Sequence, residues 1–217
     1  RVDRPWAELH LLPLFSWATN STEAKAVWEG FLWSPRLYRS LLVAFKPYFL
    51  ETAEHYAELG EHAQQFAAFL TYVALEQIDG YTVEEFQAAF GALPQEGLQE
   101  SAQALSQALE GASDQREDYW NNRVQPFWQH IWPKNRELAT SGIADSLVRL
   151  SIAAGPEFPS AFLAIQDWLH PIEHPHYVVH QLHESGLCNS FPMDALRLLN
   201  AIIDDLSLIH ISEPTRP

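Results

Sequence analysis

The chain has 217 residues, 47% of them hydrophobic, enough for a buried core, but no apolar run approaches the roughly 20 residues that span a bilayer. Thirteen Lys and Arg against 28 Asp and Glu give a net charge of −15, and no Lys or Arg occurs between Lys46 and Arg116, which disfavours nucleic acid as a partner. A single cysteine, Cys188, excludes an intrachain disulfide framework and a multi-thiolate metal site, and indicates a cytoplasmic setting.

Hydrophobic residues recur with helical spacing from the first third of the chain onward. Thr22 is predicted to precede a helix over residues 23–33, and Pro35 to lie in the first turn of the next. Residues 63–76 are apolar on most of the helix circumference, which predicts a central helix with neighbours on several sides.

Start signals and amphipathic stripes continue the helical pattern to the end of the chain. Thr82 and Glu85 have the spacing of a capping box. The stripes consist of Leu98, Ala102, Leu105 and Leu109; of Ile143, Leu147, Leu150 and Ala154; and of Ala195, Leu198, Leu199 and Ile202. Further first turns are predicted at Pro159, Pro175 and Pro192. With no adequate strand pattern, the sequence predicts an all-α fold: an irregular helical bundle or an α-solenoid-like stack of about ten helices.

Residues 1–205 are predicted to form a single helical domain that is truncated at both ends, since the chain opens at Arg1 without an initiator Met. Residues 206–217 resemble the conceptual translation of a transposon-end sequencing adapter. We therefore expect them to be a non-native tail that packs poorly on the rest.

A histidine cluster occupies the C-terminal third of the sequence. Its members are His170, His174, His176, His180 and His183. If a helix starts at Pro175, then His176, His180 and His183 share one face at i, i+4 and i+7, a spacing that suits zinc. The His-Glu-x-x-His order of a zinc protease is missing, however. Packing and capping roles are the preferred interpretation, a metal site is the alternative, and no cofactor is expected.

The second conspicuous segment, residues 119–133, is rich in aromatic residues. Trp120, Val124, Phe127, Trp128 and Ile131 follow helical spacing, which predicts a buried seam kinked at Pro126. The alternative is a peptide groove or protein contact through Trp120, Phe127, Trp128 and Trp132, because aromatic residues concentrate at interface hot spots.

Catalytic motifs are missing from the sequence. It contains no Gly-x-Gly-x-x-Gly, no phosphate-binding Gly-x-x-x-x-Gly-Lys, no Gly-x-Ser-x-Gly and no paired-cysteine zinc pattern. Cys188 and His183 could be described as a nucleophile and its base, but a lone cysteine is more often a small buried hydrophobe.

Four phrases resemble a bacterial domain of unknown function found C-terminal to sirtuin-like domains in predicted anti-phage defence proteins. They are WEGFLWSPRLY (28–38), FLTY (69–72), YWNNRVQPFWQHIWP (119–133) and EHPHYVV (173–179). The resemblance extends over residues 17–205. It implies a helical region attached to a separate NAD-consuming domain, whose own catalytic motifs match no position here.

The resulting hypothesis is a non-catalytic helical scaffold or sensor module of a larger bacterial defence protein. It would act through protein contacts with its own upstream domain, with a second copy or with a trigger protein. Neither nucleic acid nor a membrane is expected as a partner. The alternative is a metal-dependent enzyme or metal-binding domain that uses the cluster between His170 and His183.

Overall fold

A computed structural model describes residues 4–203, and within this range the chain is helical and contains no β-strand. The all-α prediction is confirmed. The α-helices are Arg4–His10 (α1), Ser21–Leu32 (α2), Arg39–Glu51 (α3), Ala63–Leu75 (α4), Val83–Ala92 (α5), Gln95–Gly111 (α6), Arg116–Tyr119 (α7), Gln125–His130 (α8), Ser141–Ala153 (α9), Phe158–Ile165 (α10), Pro175–Glu184 (α11), Leu187–Ser190 (α12) and Pro192–Ile202 (α13). The predicted non-native tail, residues 206–217, lies outside the described residues.

Shorter helical turns connect several of these helices. The 3-10 segments are Leu12–Phe15, Thr52–His62, Ser113–Gln115, Arg136–Leu138, Gly155–Glu157 and Gln166–Trp168. No helix within residues 4–203 combines the length and the apolar character needed to cross a membrane. The described residues form two compact units, one of residues 4–104 with 127–133 and the other of residues 105–126 with 134–203.

An aromatic cluster fills the core of the first unit. Trp28, Phe45, Phe49 and Phe66 are fully buried. The ring centroids lie 5.6 Å apart for Trp28 and Phe45, and 5.6 Å apart for Phe49 and Phe66. Burying one such side chain contributes about 1.5–3 kcal/mol, so this cluster supplies much of the unit's stability.

Helix α4 is the central helix that its apolar circumference predicts. Its buried residues are Ala63, Phe66, Ala67, Phe69, Leu70, Thr71, Val73, Ala74 and Leu75. These positions occupy most of the helix circumference, and the remaining side carries the exposed Gln64 and Gln65 and the half-buried Ala68 and Tyr72.

Helix starts in the first unit agree only in part with the sequence signals. The capping box at Thr82 and Glu85 is confirmed, with both of its hydrogen bonds present. Helix α2 is capped by Asn20, whose side chain accepts from the Glu23 amide, and not by Thr22. The prediction for Pro35 is wrong: residues 35–38 are non-helical, and α3 begins at Arg39.

The second unit has its own hydrophobic core, formed where α9, α10, α11 and α13 pack together. Its members include Val148, Phe158, Leu182 and Leu198, all fully buried. Pro159, Pro175 and Pro192 lie at the first or second positions of α10, α11 and α13, as predicted. The missing N–H of proline costs nothing in a first helical turn, which explains these starts.

Buried hydroxyl groups are satisfied mainly within their own helices. Thr71, Ser101 and Ser146 each donate to the backbone carbonyl four residues earlier, at 2.9, 2.9 and 3.2 Å. Thr52 also donates to the carbonyl four residues earlier, and its oxygen accepts from Trp17 Nε1 at 2.8 Å. These polar side chains therefore enter the cores without the cost of an unpaired donor.

Candidate functional site

The predicted histidine face exists on α11 and points to solvent. Val178 and Leu182 are buried one turn apart and anchor the helix. At about 100° per residue, His176, His180 and His183 fall on the opposite side, and all three are exposed. His170 and His174 are also exposed.

The contacts of these histidines are local. The His176 ring lies 4.2 Å from the Tyr177 ring and 5.7 Å from that of His174, measured between centroids. His180 Nδ1 lies 3.1 Å from Glu184 Oε2 on the same helix, and these side chains are 68% and 65% exposed. Across residues 4–203, no group of three or more His, Cys, Asp or Glu side chains could hold a metal ion. The metal-site alternative therefore gains no geometric support.

Cys188 is half-buried and packs against the hydrophobic core of the second unit. This contact agrees with the interpretation of Cys188 as a small hydrophobe.

The aromatic segment is buried. Trp120, Phe127, Trp128 and Trp132 are 0%, 2%, 5% and 1% exposed. The Trp120 indole donates to Ser160 Oγ at 3.3 Å, and the rings of Trp128 and Trp132 stack at 5.0 Å between centroids. Such side chains present no surface to a partner, which removes the ground for assigning them a contact role.

A π-helical turn, Trp120–Val124, stands where the sequence predicts a proline kink. Pro126 is the second residue of α8, directly after this turn, and the Gln125 amide donates to the Trp120 carbonyl. A π-turn widens the helix locally, so the proline is accommodated by a wider turn preceding it.

A different surface, at the start of α3, carries the features that a protein contact needs. Helix α3 buries Leu42, Phe45 and Phe49. Its opposite side therefore turns Arg39, Ser40 and Val43 outward, and Val43 is 47% exposed. Tyr38, which immediately precedes the helix, is 62% exposed.

Arg39, Ser40 and Val43 line a shallow depression of about 200 Å³ together with Ile78 and Asp79 from the loop after α4. We call these five residues and Tyr38 the α3 surface. Ile78 is buried and supplies an apolar floor, whereas Arg39 and Asp79 are exposed and place opposite charges in the lining. Aromatic, aliphatic and guanidinium groups in one place are the composition of protein-contact hot spots.

Hydrogen bonds connect the loop that carries Asp79 to α3, on the C-terminal side of Asp79. Tyr81 Oη donates to the Leu42 carbonyl at 2.7 Å, and burial, with a smaller contribution from the Glu85 carboxylate, raises the Tyr81 pKa so that the hydroxyl stays protonated. Lys46 Nζ donates to the Gly80 carbonyl and to Glu85 Oε1, both at 2.6 Å. The hydrogen bonds of Gly80 and Tyr81 to α3 therefore hold Asp79 next to this helix.

Asp79, in the lining of the depression, has no ion-pair partner within the described part of the chain. Arg39 Nη2 lies 3.5 Å from the carboxylate of Glu76, but the side chains are 61% and 45% exposed. An exposed pair with this geometry contributes little and can exchange for a better partner.

Sequence reasoning missed the α3 surface because it placed Pro35 in a helical turn. Had α3 been started at Arg39, the stripe of Leu42, Phe45 and Phe49 would have turned Arg39 and Val43 outward. The contribution of Ile78 and Asp79 comes from tertiary packing and has no local signal.

The chain has little similarity to known proteins. No family model and no solved structure matches the sequence. The chain is similar to the uncharacterized protein y4cA of Sinorhizobium fredii (strain NBRC 101917 / NGR234), with 29% identity over 92 residues. The aligned region covers 42% of this chain and only 8% of y4cA, so the similarity is to a small part of a much longer protein.

Proposed function

We propose that this chain is a non-catalytic helical scaffold or sensor module of a longer bacterial protein, and that it acts through protein contacts. The observation that carries the proposal is the α3 surface, where the exposed residues Arg39 and Val43 line a depression with an apolar floor and Tyr38, immediately before Arg39 in the chain, is also exposed. Tyr and Arg side chains beside aliphatic groups are the residues that contribute most when another protein covers them.

The context of the module is part of the same proposal. The four phrases shared with the sirtuin-associated domain support a neighbouring NAD-consuming domain outside this chain, in a cytoplasmic anti-phage defence protein. The alignment with a short segment of y4cA supports a longer parent protein. In this arrangement the helical module would sense a trigger or hold an assembly together, and the attached domain would perform the chemistry.

Two experiments test the proposal: one measures catalysis by the chain, and the other measures the effect of its protein contacts. The purified chain should release no nicotinamide from NAD⁺ above the rate of a heat-denatured sample, because the proposed catalytic domain lies outside it. Enzymatic turnover by the chain alone would contradict a non-catalytic module.

The contact role is tested in the longer protein with a matched pair of substitutions. Val43 in α3 and Val179 in α11 are 47% and 46% exposed, so Val43→Ser and Val179→Ser remove similar apolar surfaces. We expect Tyr38→Ala with Val43→Ser to lower protection against phage, measured as efficiency of plating, at unchanged protein level. The matched control is Tyr177→Ala with Val179→Ser, since Tyr177 is 61% exposed and Tyr38 is 62% exposed. Equal protection in the two double variants would contradict a role for the α3 surface.

A further inference from the structure

Both signs of charge occur at the α3 surface. Arg39 and Asp79 line the same depression, and the Arg39 guanidinium lies 3.5 Å from the carboxylate of Glu76. The whole chain, by contrast, carries a net charge of −15. The depression therefore offers a positive group on a strongly acidic protein.

We propose that the partner of the α3 surface is the α3 surface of a second copy of this chain, related to the first by a two-fold axis. The inference deepens the proposed contact function and rests on it. In a two-fold contact, if residue i of one copy contacts residue j of the other, then residue j of the first copy contacts residue i of the second. A surface can pair with itself only if it contains both members of each pair.

The α3 surface meets this condition. Arg39 and Asp79 line the same depression, so a two-fold axis through it brings Arg39 of each copy to Asp79 of the other. Asp79 is without an ion-pair partner within residues 4–203, and the exposed contact of Arg39 with Glu76 is easily exchanged. Val43 and Tyr38 supply the apolar area that the two copies would cover together.

Other protein partners fit the same charges less well. A surface that presents only acidic groups would face Asp79, whereas one that presents only basic groups would face Arg39. Like charges across an interface disfavour the wrong partner. A second copy offers the opposite sign at both Arg39 and Asp79.

The contact is expected to be weak in the isolated chain. A surface of about six residues lies at the low end of specific interfaces, so we expect a dissociation constant of roughly 10–100 µM. Net repulsion between two acidic copies opposes association at low ionic strength, and about 0.15 M salt reduces it because the Debye length is then about 8 Å. Two modules held together in a longer protein would associate at a much higher effective concentration.

The test is sedimentation equilibrium of the full chain, whose monomer mass is 24.7 kDa, up to about 500 µM in about 0.15 M salt. The parent should shift toward the dimer mass. Arg39→Asp and Asp79→Arg should each weaken the dimer at least about ten-fold, because each places like charges at both symmetric contacts. An equimolar mixture of the two variants should recover the parent affinity within about three-fold, since the variant charges then attract.

Three controls separate the charge pairing from general effects. Lys25→Glu and Glu54→Arg reverse exposed charges elsewhere on the first unit and should leave the dimer unchanged. Glu76→Gln removes the carboxylate that pairs with Arg39 and leaves the contact of Arg39 with the backbone carbonyl of residue 76, so it should keep or strengthen the dimer. Far-UV circular dichroism establishes that each variant is folded.

A parent that stays monomeric at the highest concentration would overturn the self-docking proposal, as would single variants that dimerise normally or a mixture that does not recover. None of these results would overturn the proposed function, which requires only that the α3 surface contacts some protein. The phage-protection experiment with Tyr38 and Val43 decides that question separately.

Discussion

Glu85 makes two hydrogen bonds with Thr82 at the start of α5 and one with Lys46 of α3, so its removal should loosen one identifiable corner of the first unit. Its Oε2 accepts from the Thr82 amide at 2.8 Å, and its Oε1 accepts from Lys46 Nζ at 2.6 Å. Thr82 Oγ1 in turn accepts from the Glu85 amide at 3.2 Å. The substitution Glu85→Ala removes the first two bonds and leaves the third.

The expected loss follows from the geometry. Half of a capping box contributes about 0.5–1 kcal/mol. The ion pair with Lys46 is only partly shielded, since the side chains are 23% and 34% exposed, and we discount it to about 0.5–1 kcal/mol. Glu85→Ala should therefore lower the free energy of unfolding by about 1–2 kcal/mol. Glu85→Gln, which keeps an acceptor for the Thr82 amide but loses the charge, should cost about half as much.

The effect should also depend on pH. The hydrogen bond from Lys46, followed by that from the Thr82 amide, lowers the pKa of Glu85. A lowered pKa in the folded state means that this stabilisation is present above the unfolded value of about 4.3 and is lost as the pH falls through the folded pKa. The difference between the parent and Glu85→Gln should shrink over that acidic range.

Hydrogen exchange across residues 82–92, together with urea unfolding, measures this loss locally and globally. Glu84, which is exposed in the same helical turn, provides the matched control as Glu84→Ala. If exchange in α5 is no faster in Glu85→Ala than in Glu84→Ala, the bonds to Lys46 and Thr82 do not stabilise this corner, and the reasoning fails.

Three further outcomes are expected. His180→Ala should change thermal stability by less than about 0.5 kcal/mol, and neither zinc nor a chelator should alter the melting temperature of parent or variant; a chelator-sensitive parent would revive the metal-site alternative. Trp28→Ala, at a fully buried position, should cost about 3–5 kcal/mol in urea unfolding, whereas Trp33→Ala, at a 79% exposed position, should cost less than about 0.5 kcal/mol. Burial, and next the Glu100 carboxylate, raises the pKa of Tyr56 to about 12, so the parent should lose stability as the pH rises above about 10, and Tyr56→Phe should flatten that loss.

Helices were predictable where the local pattern and the tertiary burial agree. Residues 63–76 are apolar on most of the helix circumference, which favours a helix with neighbours on several sides, and most of the circumference of α4 is buried. Pro175 and Pro192 mark helix starts correctly because proline fits the first helical turn, where its missing N–H would have no partner within the helix.

The errors arose where two local signals compete or where the decisive contact is distant. Asn20 and Thr22 are both good caps, and only the backbone geometry selects Asn20. The helical spacing of the histidines on α11 could be predicted from the sequence, but their exposure could not. Trp120 is buried as the predicted seam requires, whereas Trp132 falls outside the spacing of that seam and its burial is decided by packing. The depression between Val43 and Asp79 is lined by segments far apart in the chain, and no periodic pattern in the sequence predicts it.

The buried hydroxyls that bond within their own helices influence how homologous sequences can diverge. Replacing Thr71, Ser101 or Ser146 with Ala strands no acceptor on a neighbouring helix, because each hydroxyl donates to its own backbone. Ser, Thr and Ala should therefore interchange at these positions independently of the rest of the core. Thr52 differs, since its loss would leave the Trp17 indole without an acceptor. Positions 17 and 52 should accordingly covary among related sequences, whereas positions 71, 101 and 146 should drift freely.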